Sequence, residues 1–224
     1  MPEDNFTQVL EKYASCDVAD ALRKLGIIGY IPRLTSFSKG NEIKKIVGPI
    51  YPVKFVYVEE APEIPTIQGH YMDHPPEGSV VLVMAPDDAE NAVLGGLVAK
   101  QGKNLKVAGC VVLGLIRDIE EIHELGLPVF ARGTSCLGAG GFVRCISRDT
   151  PMNVPVGFRS HTTHLTVQPG DILVADADGV VICPKTYVMQ VAKECEAIIS
   201  ADLKVNAALD EEGLTLSEAF SKYR

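Results

Sequence analysis

Tryptophan is absent and only 14 of the 224 residues are Phe or Tyr. No Lys/Arg patch is interleaved with those aromatics, so the stacking platforms of single-strand nucleic-acid binders are missing. Positive charge is also short. The 21 Lys and Arg stand against 29 Asp and Glu, a net charge of −8, which opposes non-specific binding to phosphate backbones or anionic lipid. No apolar run approaches the ~18 residues that cross a bilayer. Met1-Pro2-Glu3-Asp4-Asn5 is neither a basic signal-peptide start nor an Arg-rich transit peptide. A soluble cytoplasmic protein with no nucleic-acid or membrane partner is expected. Six cysteines are present, none in a C-x-x-C pair, and a chain this long needs no disulfide staples, so reduced and mostly buried thiols are expected. Asn5-Phe6-Thr7 matches a glycosylation triplet, but without a signal sequence it carries no weight. What remains, 46% hydrophobic and 22% charged residues, is the make-up of one globular domain.

The pattern along the chain is mixed. Asp4 to Leu25 reads as one or two helices, with Ser15 as an N-cap and Gly26 as the stop. Ile46 to Val58 is rich in β-branched and aromatic residues and reads as a strand, with Pro49 and Pro52 placing its start at an edge or bulge. Glu59 to Gly78 reads as a loop and Ser79 to Ala85 as a short strand. Ala89 to Gln101 looks helical, Val107 to Leu113 is a buried strand, Asp118 to Leu125 a short helix, and Val129 to Ala131 another strand. This alternation argues for an α/β core with parallel pairing. Beyond Pro151 come short strands at Asn153 to Val156, His164 to Val167, Ile172 to Ala175 and Val180 to Cys183. Pro169-Gly170-Asp171 and Asp176-Ala177-Asp178-Gly179 are turns between them. Pro184 to Lys222 is helical. With no repeat or linker, residues 1–224 form a single expected domain with a C-terminal helical extension from about 184 to 224.

The segment that could carry chemistry is Gly109 to Glu121. A buried strand runs out through Gly114 and presents Arg117, Asp118 and Glu121 at its C-terminal end, where open α/β sheets place ligands. Asp118 and Glu121, three apart, lie on one face of a helix and could hold a hard cation through oxygen. Arg117 could grip a carboxylate or oxyanion. The same Asp-x-x-Glu spacing also has the form of a capping box. Upstream, Gly95-Gly96 inside a helical pattern costs ~1 kcal/mol per glycine relative to Ala, which is easier to explain if a helix begins there. The N–H groups of Gly96, Leu97 and Val98 would then form an anion site; close helix packing is the alternative.

Gly96, twenty intervening residues, then Arg117-Asp118, two residues and Glu121 resembles the G-x20-R-D-x2-E/D signature of yeast-type members of the family named after regulator of ribonuclease activity A. The similarity extends through Ser15 to Leu22, Pro128 to Gly133, Pro169-Gly170-Asp171 and Asp176 to Val181. That family includes 4-hydroxy-4-methyl-2-oxoglutarate aldolases and oxaloacetate decarboxylases. The resemblance implies a swivelling β/β/α fold (RraA-like, of the phosphohistidine-domain kind), assembled as a homotrimer or dimer of trimers with sites between subunits. It further implies a class II pyruvate aldolase and decarboxylase that uses Mg²⁺ or Mn²⁺ on small 2-oxo acids. By the same resemblance Asp118 is a metal ligand, Arg117 contacts the substrate carboxylate and keto oxygen, and the Gly95-Gly96-Leu97-Val98 backbone holds the pyruvyl carboxylate. Bacterial aldolases of the family carry an acidic residue where this chain has Gly96, and Glu121 is expected to compensate as a second ligand. Ser135 to Gly141 lacks the Pro-rich run of bacterial relatives, which bears on the distal end of the substrate.

Both implied reactions pass through a pyruvate enolate, whose oxyanion needs a nearby cation. Retro-aldol cleavage also needs a base for the C4 hydroxyl, and with no His or Lys in the motif a metal-polarised water is the expected agent. Decarboxylation needs none and is expected to be the more robust activity. Other features are weaker. His70 with His74, and His161 with His164, lack a helical setting or a third ligand. Gly138 to Gly141 lacks the context of a dinucleotide fingerprint and reads as a mobile loop. Cys136 and Cys145 have no identified base. Asp17 and Asp20 read as helix-dipole partners, and Asp176 and Asp178 as turn residues. A methyltransferase finds no convincing cofactor motif. The alternative of a different class is a non-catalytic regulator of a ribonuclease, for which an acidic surface would suit a basic partner.

Overall fold

A computed structural model of the protein describes residues 5–38, 43–60, 62–65, 67–156 and 163–224. At its centre lies β3 (Ile46–Tyr57), a strand long enough to change partners along its length. Residues Ile46 to Pro49 pair antiparallel with β11 (Ile172–Ala175), and Val53 to Tyr57 pair antiparallel with β8 (Val143–Arg148). On the other side Ile50 to Lys54 run parallel to β4 (Val80–Met84). Pro49 and Pro52 are therefore not at an edge. Pro49 is the last residue paired with β11 and Pro52, paired with β4, directly precedes the start of β8 pairing at Val53; the expected irregularity lies further on, as a register shift between Lys54 and Phe55. Parallel pairing continues from β4 to β6 (Gly109–Ile116) and β7 (Val129–Thr134).

Short strands complete the sheet: β1 (Tyr30–Ile31) against β12 (Val180–Cys183), β12 against β11, and β2 (Thr35–Ser36) against β7. A separate hairpin is formed by β9 (Met152–Val156) and β10 (Thr163–Val167). Alternation along the strands sends side chains to two faces. On one face Tyr51, Val53, Val81, Val83, Val112 and Val129 bury against Ala99 and Ile122 of α3 (Gly96–Asn104) and α4 (Ile119–Leu125). On the other, Ile50, Leu82, Val111, Leu113 and Phe130 pack on Met152, Val154, Val156 and Val167 of the hairpin. The order hairpin, sheet, helices is the expected β/β/α arrangement within one α/β domain.

A further core joins β11 and β12 to α1 (Asn5–Leu10), α2 (Ser15–Lys24) and α5 (Val188–Glu211) through Leu10, Leu22, Val174, Val181, Val188 and Cys195. The α2 start differs from expectation. Ala14 is the N-cap, its N–H bound by Asp17 at 3.0 Å, while Ser15 is the first helical residue and gives both its N–H and its hydroxyl to Asp176, at 2.7 and 2.6 Å. A capping box does occur at α6 (Leu216–Tyr223): Thr215 Oγ1 accepts from the Glu218 N–H and the Thr215 N–H donates to Glu218 Oε2 at 2.8 Å. Among the described residues no helix is long and apolar enough to cross a membrane.

Candidate active site

The site lies where β6 outruns its neighbour. β4 ends at Met84, and a methyl at Gly114 would meet the Ala85 Cβ at 2.9 Å, so β6 passes the end of β4 only because residue 114 has no side chain. Beyond that point β6 takes a new parallel partner, β5 (Ala92–Leu94). The span from Ala89 to Gln101 is thus not one helix. Its first part is β5, and α3 begins at Gly96 with Gly95 as its extended N-cap, as the glycine pair suggested. The Arg117 N–H donates to the Leu94 carbonyl at 3.0 Å, which brings the start of α3 beside the end of β6.

Asp118 follows with φ 59° and ψ 45°, a left-handed conformation that Asp tolerates better than most residues. It occupies the N-cap position of α4 but makes no side-chain cap hydrogen bond. Its Oδ2 instead accepts the Gly96 N–H at 2.9 Å and lies 3.5 Å from Arg117 Nε. The capping-box alternative therefore fails at this position: the Asp118 carboxylate faces α3 rather than its own helix. A Cβ on Gly95 would stand 2.7 Å from Asp118 Oδ2 and 3.2 Å from Arg117 Nε, and one on Gly96 would fall within the Glu121 carboxylate. The glycine pair lets the α3 backbone touch both acidic side chains.

A cleft of about 550 Å³ opens here, lined by Gly95, Leu97, Val98, Arg117, Asp118 and Glu121 together with Phe55, His70, Tyr71, Val93, Gly138 and Ala139. Arg117 and Asp118 retain 46% and 37% of their side-chain exposure, enough to meet a ligand. Gly96 itself is buried beneath the wall, its N–H spent on Asp118. Leu97 and Val98, as second and third helical residues, have no acceptor within α3 for their N–H groups.

Three contributors were not legible as site residues. The Gly138 to Gly141 segment, read as a mobile loop, forms part of the wall at Gly138 and Ala139: Gly138 bridges to Ala92, and the Ala92 N–H donates to the Leu137 carbonyl at 2.8 Å. Tyr71 is buried, with its hydroxyl donated to the Val93 carbonyl at 2.8 Å and its ring edge-on to Phe55, and burial pushes its hydroxyl well above the ordinary tyrosine range. His70 lines the cleft and His74 does not. A glycine with positive φ before His70, Gly69, and a carboxylate three residues on, Asp73, were the available sequence cues for this turn. His164 is exposed on β10, and its suggested partner His161 lies outside the described residues. Asp17 and Asp20 stay away from the cleft, Asp20 pairing with Arg23 at 3.5 Å. Cys145 is held as a thiol, burial pushing it up to about 11.

A β/β/α domain with an Arg-Asp pair facing a glycine-initiated helix defines a class, and sequence comparison supplies the family. The chain belongs to the RraA-like family (Aldolase/RraA), whose model matches residues 15–182. It is 33% identical over 201 residues, 87% of this chain and 84% of the relative, to a protein of Halalkalibacterium halodurans provisionally named 4-hydroxy-4-methyl-2-oxoglutarate aldolase. It is 27% identical over 219 residues to protein DlpA of Legionella pneumophila, matching 98% of this chain but only 34% of that longer protein. Among solved structures, an uncharacterized protein from Pseudomonas syringae superposes with a TM-score of 0.81 at 23% identity, covering 98% of this chain and 94% of that one. Streptomyces coelicolor RraAS2, described as an unusual member of the RNase ES inhibitor RraA family, gives 0.70 at 24% identity over 100% and 98%. These likenesses fix the fold.

Proposed function

We propose that this protein is a divalent-metal-dependent lyase for small 2-oxo acids, decarboxylating oxaloacetate and cleaving 4-hydroxy-4-methyl-2-oxoglutarate. The observation that carries this reading is the meeting of Arg117, Asp118, Glu121 and the α3 N-terminus in one cleft. Similarity to a relative provisionally named as an aldolase supports it.

The donor chemistry fits Mg²⁺ or Mn²⁺. Asp118 and Glu121 supply hard oxygens from two carboxylates that lie against the same pair of glycines, and Mg²⁺ is commonly held by one or two carboxylates while water and substrate complete its shell. Among the described residues no third His, Cys, Asp or Glu joins them. Bound there, the ion would neutralise charge developing on the enolate oxygen. The remaining work falls to the chain. The Leu97 and Val98 N–H groups, at the positive end of α3, bind the C1 carboxylate. The Arg117 guanidinium reaches the same carboxylate and the keto oxygen, adding fixed positive charge where the oxyanion forms. Loss of CO2 from oxaloacetate leaves the pyruvate enolate, which takes one proton at C3. Aldol cleavage must in addition remove the C4 hydroxyl proton before the C3–C4 bond breaks, so it asks more of the site. The homotrimer that the family resemblance implies is part of the same proposal.

The test is pyruvate release from oxaloacetate by chelator-treated protein, with and without Mg²⁺ or Mn²⁺, against the metal-only background. Metal-dependent turnover that vanishes in Asp118→Ala supports the lyase. A second reading, a binding protein that regulates a ribonuclease, draws on the likeness to RraAS2 and the net charge of −8; absence of turnover with either metal would favour it.

A further inference from the structure

Among the described residues that line the cleft, one side chain besides Arg117 carries a hydrogen-bond donor that no hydrogen bond takes up. The lining residues Phe55, Val93, Leu97, Val98 and Ala139 are apolar, and the Tyr71 hydroxyl is spent on the Val93 carbonyl. His70 is different, and its surroundings fix which atom it offers. Its Nδ1 accepts the Met72 N–H at 3.1 Å. A backbone N–H can only donate, so Nδ1 is unprotonated and the proton of the neutral ring sits on Nε2.

The ring is held in place from several directions. It stacks on Tyr71 with centroids 4.4 Å apart and 31° between planes. The His70 N–H donates to Asp73 Oδ2 at 2.6 Å and the His70 carbonyl accepts from Arg148 at 2.7 Å, so both backbone groups of the turn are anchored. Gly69 makes this possible, because a Cβ there would stand 2.7 Å from Asp73 Oδ2. Burial lowers the imidazole pKa from its ordinary value; the Asp73 carboxylate opposes that shift and Arg148 adds to it. The neutral ring is thereby the favoured form near pH 7.

We propose that His70 is a specificity-determining residue that donates its Nε2–H to the substrate's second carboxylate, so that the cleft selects 2-oxo dicarboxylic acids over 2-oxo monocarboxylic acids. This rests on the lyase reading, in which Arg117 and the α3 N-terminus hold the 2-oxo acid end. The far end of oxaloacetate, or of a substituted 2-oxoglutarate, then needs a partner of its own, because an unpaired carboxylate against an apolar wall is costly. Both carboxylates have a donor when His70 takes the second.

The probes are 2-oxoglutarate and 2-oxopentanoate, which share a five-carbon chain and differ in the second carboxylate. Their binding to the full chain with Mg²⁺ is measured by titration calorimetry. The wild type is expected to prefer 2-oxoglutarate by at least about tenfold, the scale of one charge-assisted hydrogen bond. His70→Ala should bring the ratio to near unity through loss of 2-oxoglutarate affinity, with circular dichroism and the urea midpoint reporting an intact fold. His70→Gln, whose amide offers a donor at similar reach, should keep part of the preference. A His70→Ala protein that still discriminates, or a wild type that never does, overturns the proposal. If the wild type releases pyruvate from oxaloacetate while His70→Ala discriminates normally, only the role of His70 falls. If the wild type neither turns over oxaloacetate nor binds either probe, the lyase reading falls with it.

Discussion

A side chain on Gly96 would occupy the space of the Glu121 carboxylate. The two positions therefore exclude each other: either residue 96 or residue 121 can bring an acidic group to this point beside Asp118, but not both. In the lyase reading, Gly96→Ala is expected to fold, with little stability change, but to weaken Mg²⁺ affinity roughly tenfold by displacing Glu121. The double variant Gly96→Glu with Glu121→Ala should recover metal binding. Calorimetric titration with Mg²⁺ decides it, and a Gly96→Ala protein with wild-type affinity would remove Glu121 from the ligand set.

The strained backbone at Asp118 separates its structural from its chemical role. At φ 59°, glycine would relieve about 1 kcal/mol of left-handed strain. The lost Gly96 N–H contact to the carboxylate, 2.9 Å long, is worth a similar amount in the opposite direction. Asp118→Gly should therefore unfold within about 1 kcal/mol of the wild type in urea while losing metal-dependent pyruvate release altogether. Retained turnover would take Asp118 out of the site, and a large loss of stability would make it a structural residue.

The contrast between two Thr/Asp-x-x-Glu segments explains how far the sequence could be read. Thr215-Leu216-Ser217-Glu218 forms a capping box, each side chain accepting the other residue's N–H. Asp118-Ile119-Glu120-Glu121 has the same form but follows a strand that ends against another helix, so its carboxylate turns to the Gly96 N–H across 22 residues of chain. Local spacing is the same in both, and only tertiary placement tells them apart. The sheet was legible for the same reason it is stable: buried runs such as Val80–Met84 and Gly109–Ile116 have to pair. β8 was missed because Val143–Arg148 is half exposed and carries Arg, Cys and Ser instead of a clean alternation. Arg117, Asp118 and Glu121 could be read together because they lie within five residues of one another, and all three line the cleft. His70 and Gly138 reach the cleft from distant segments, and no periodicity links them to it.

Thiol exposure offers a check on the packing around that sheet. Cys110, Cys183 and Cys195 are buried, and burial pushes each thiol up to about 12, whereas Cys16 and Cys136 are exposed. Native protein at pH 8 should react with a charged thiol reagent fastest at Cys136, more slowly at Cys16, whose thiol is pushed up by burial and the neighbouring Asp17, and at all six only after unfolding, as identified by peptide mapping. Rapid labelling of Cys110 would contradict the position of β6 at the centre of the sheet.

Asp176 ties α2 to the β11–β12 turn and makes that junction sensitive to acid. Burial alone would raise its carboxyl, but the Ser15 hydroxyl and N–H and the Asp178 N–H outweigh this and hold it below 3.8. A carboxyl whose folded value is depressed contributes stability in full above its unfolded value and loses it as pH falls through the folded one. Asp176→Asn should be less stable at pH 7 by about 1–3 kcal/mol, with the difference shrinking below pH 3.8. Urea midpoints from pH 7 to pH 3 check this, and a gap that stays constant across the range would mean that Asp176 acts through packing rather than charge.

Arg117 rests against a residue that cannot grow. A Cβ at Gly138 would stand 2.8 Å from one terminal nitrogen of the Arg117 guanidinium and 3.4 Å from its central carbon. Gly138→Ala is therefore expected to leave the backbone intact and to push the guanidinium off its position, since the far end of a flexible side chain gives way before a loop backbone bridged to Ala92 does. In the lyase reading the 2-oxo acid would then meet a displaced partner, raising KM for oxaloacetate several-fold and lowering kcat as the enolate oxygen loses its aligned charge. Gly140→Ala is the matched control, because a Cβ there meets nothing within 4 Å. If both variants behave like the wild type, the guanidinium tolerates movement and its proposed role at the 2-oxo acid end is refuted. If both fail equally, the effect belongs to the loop and not to Arg117.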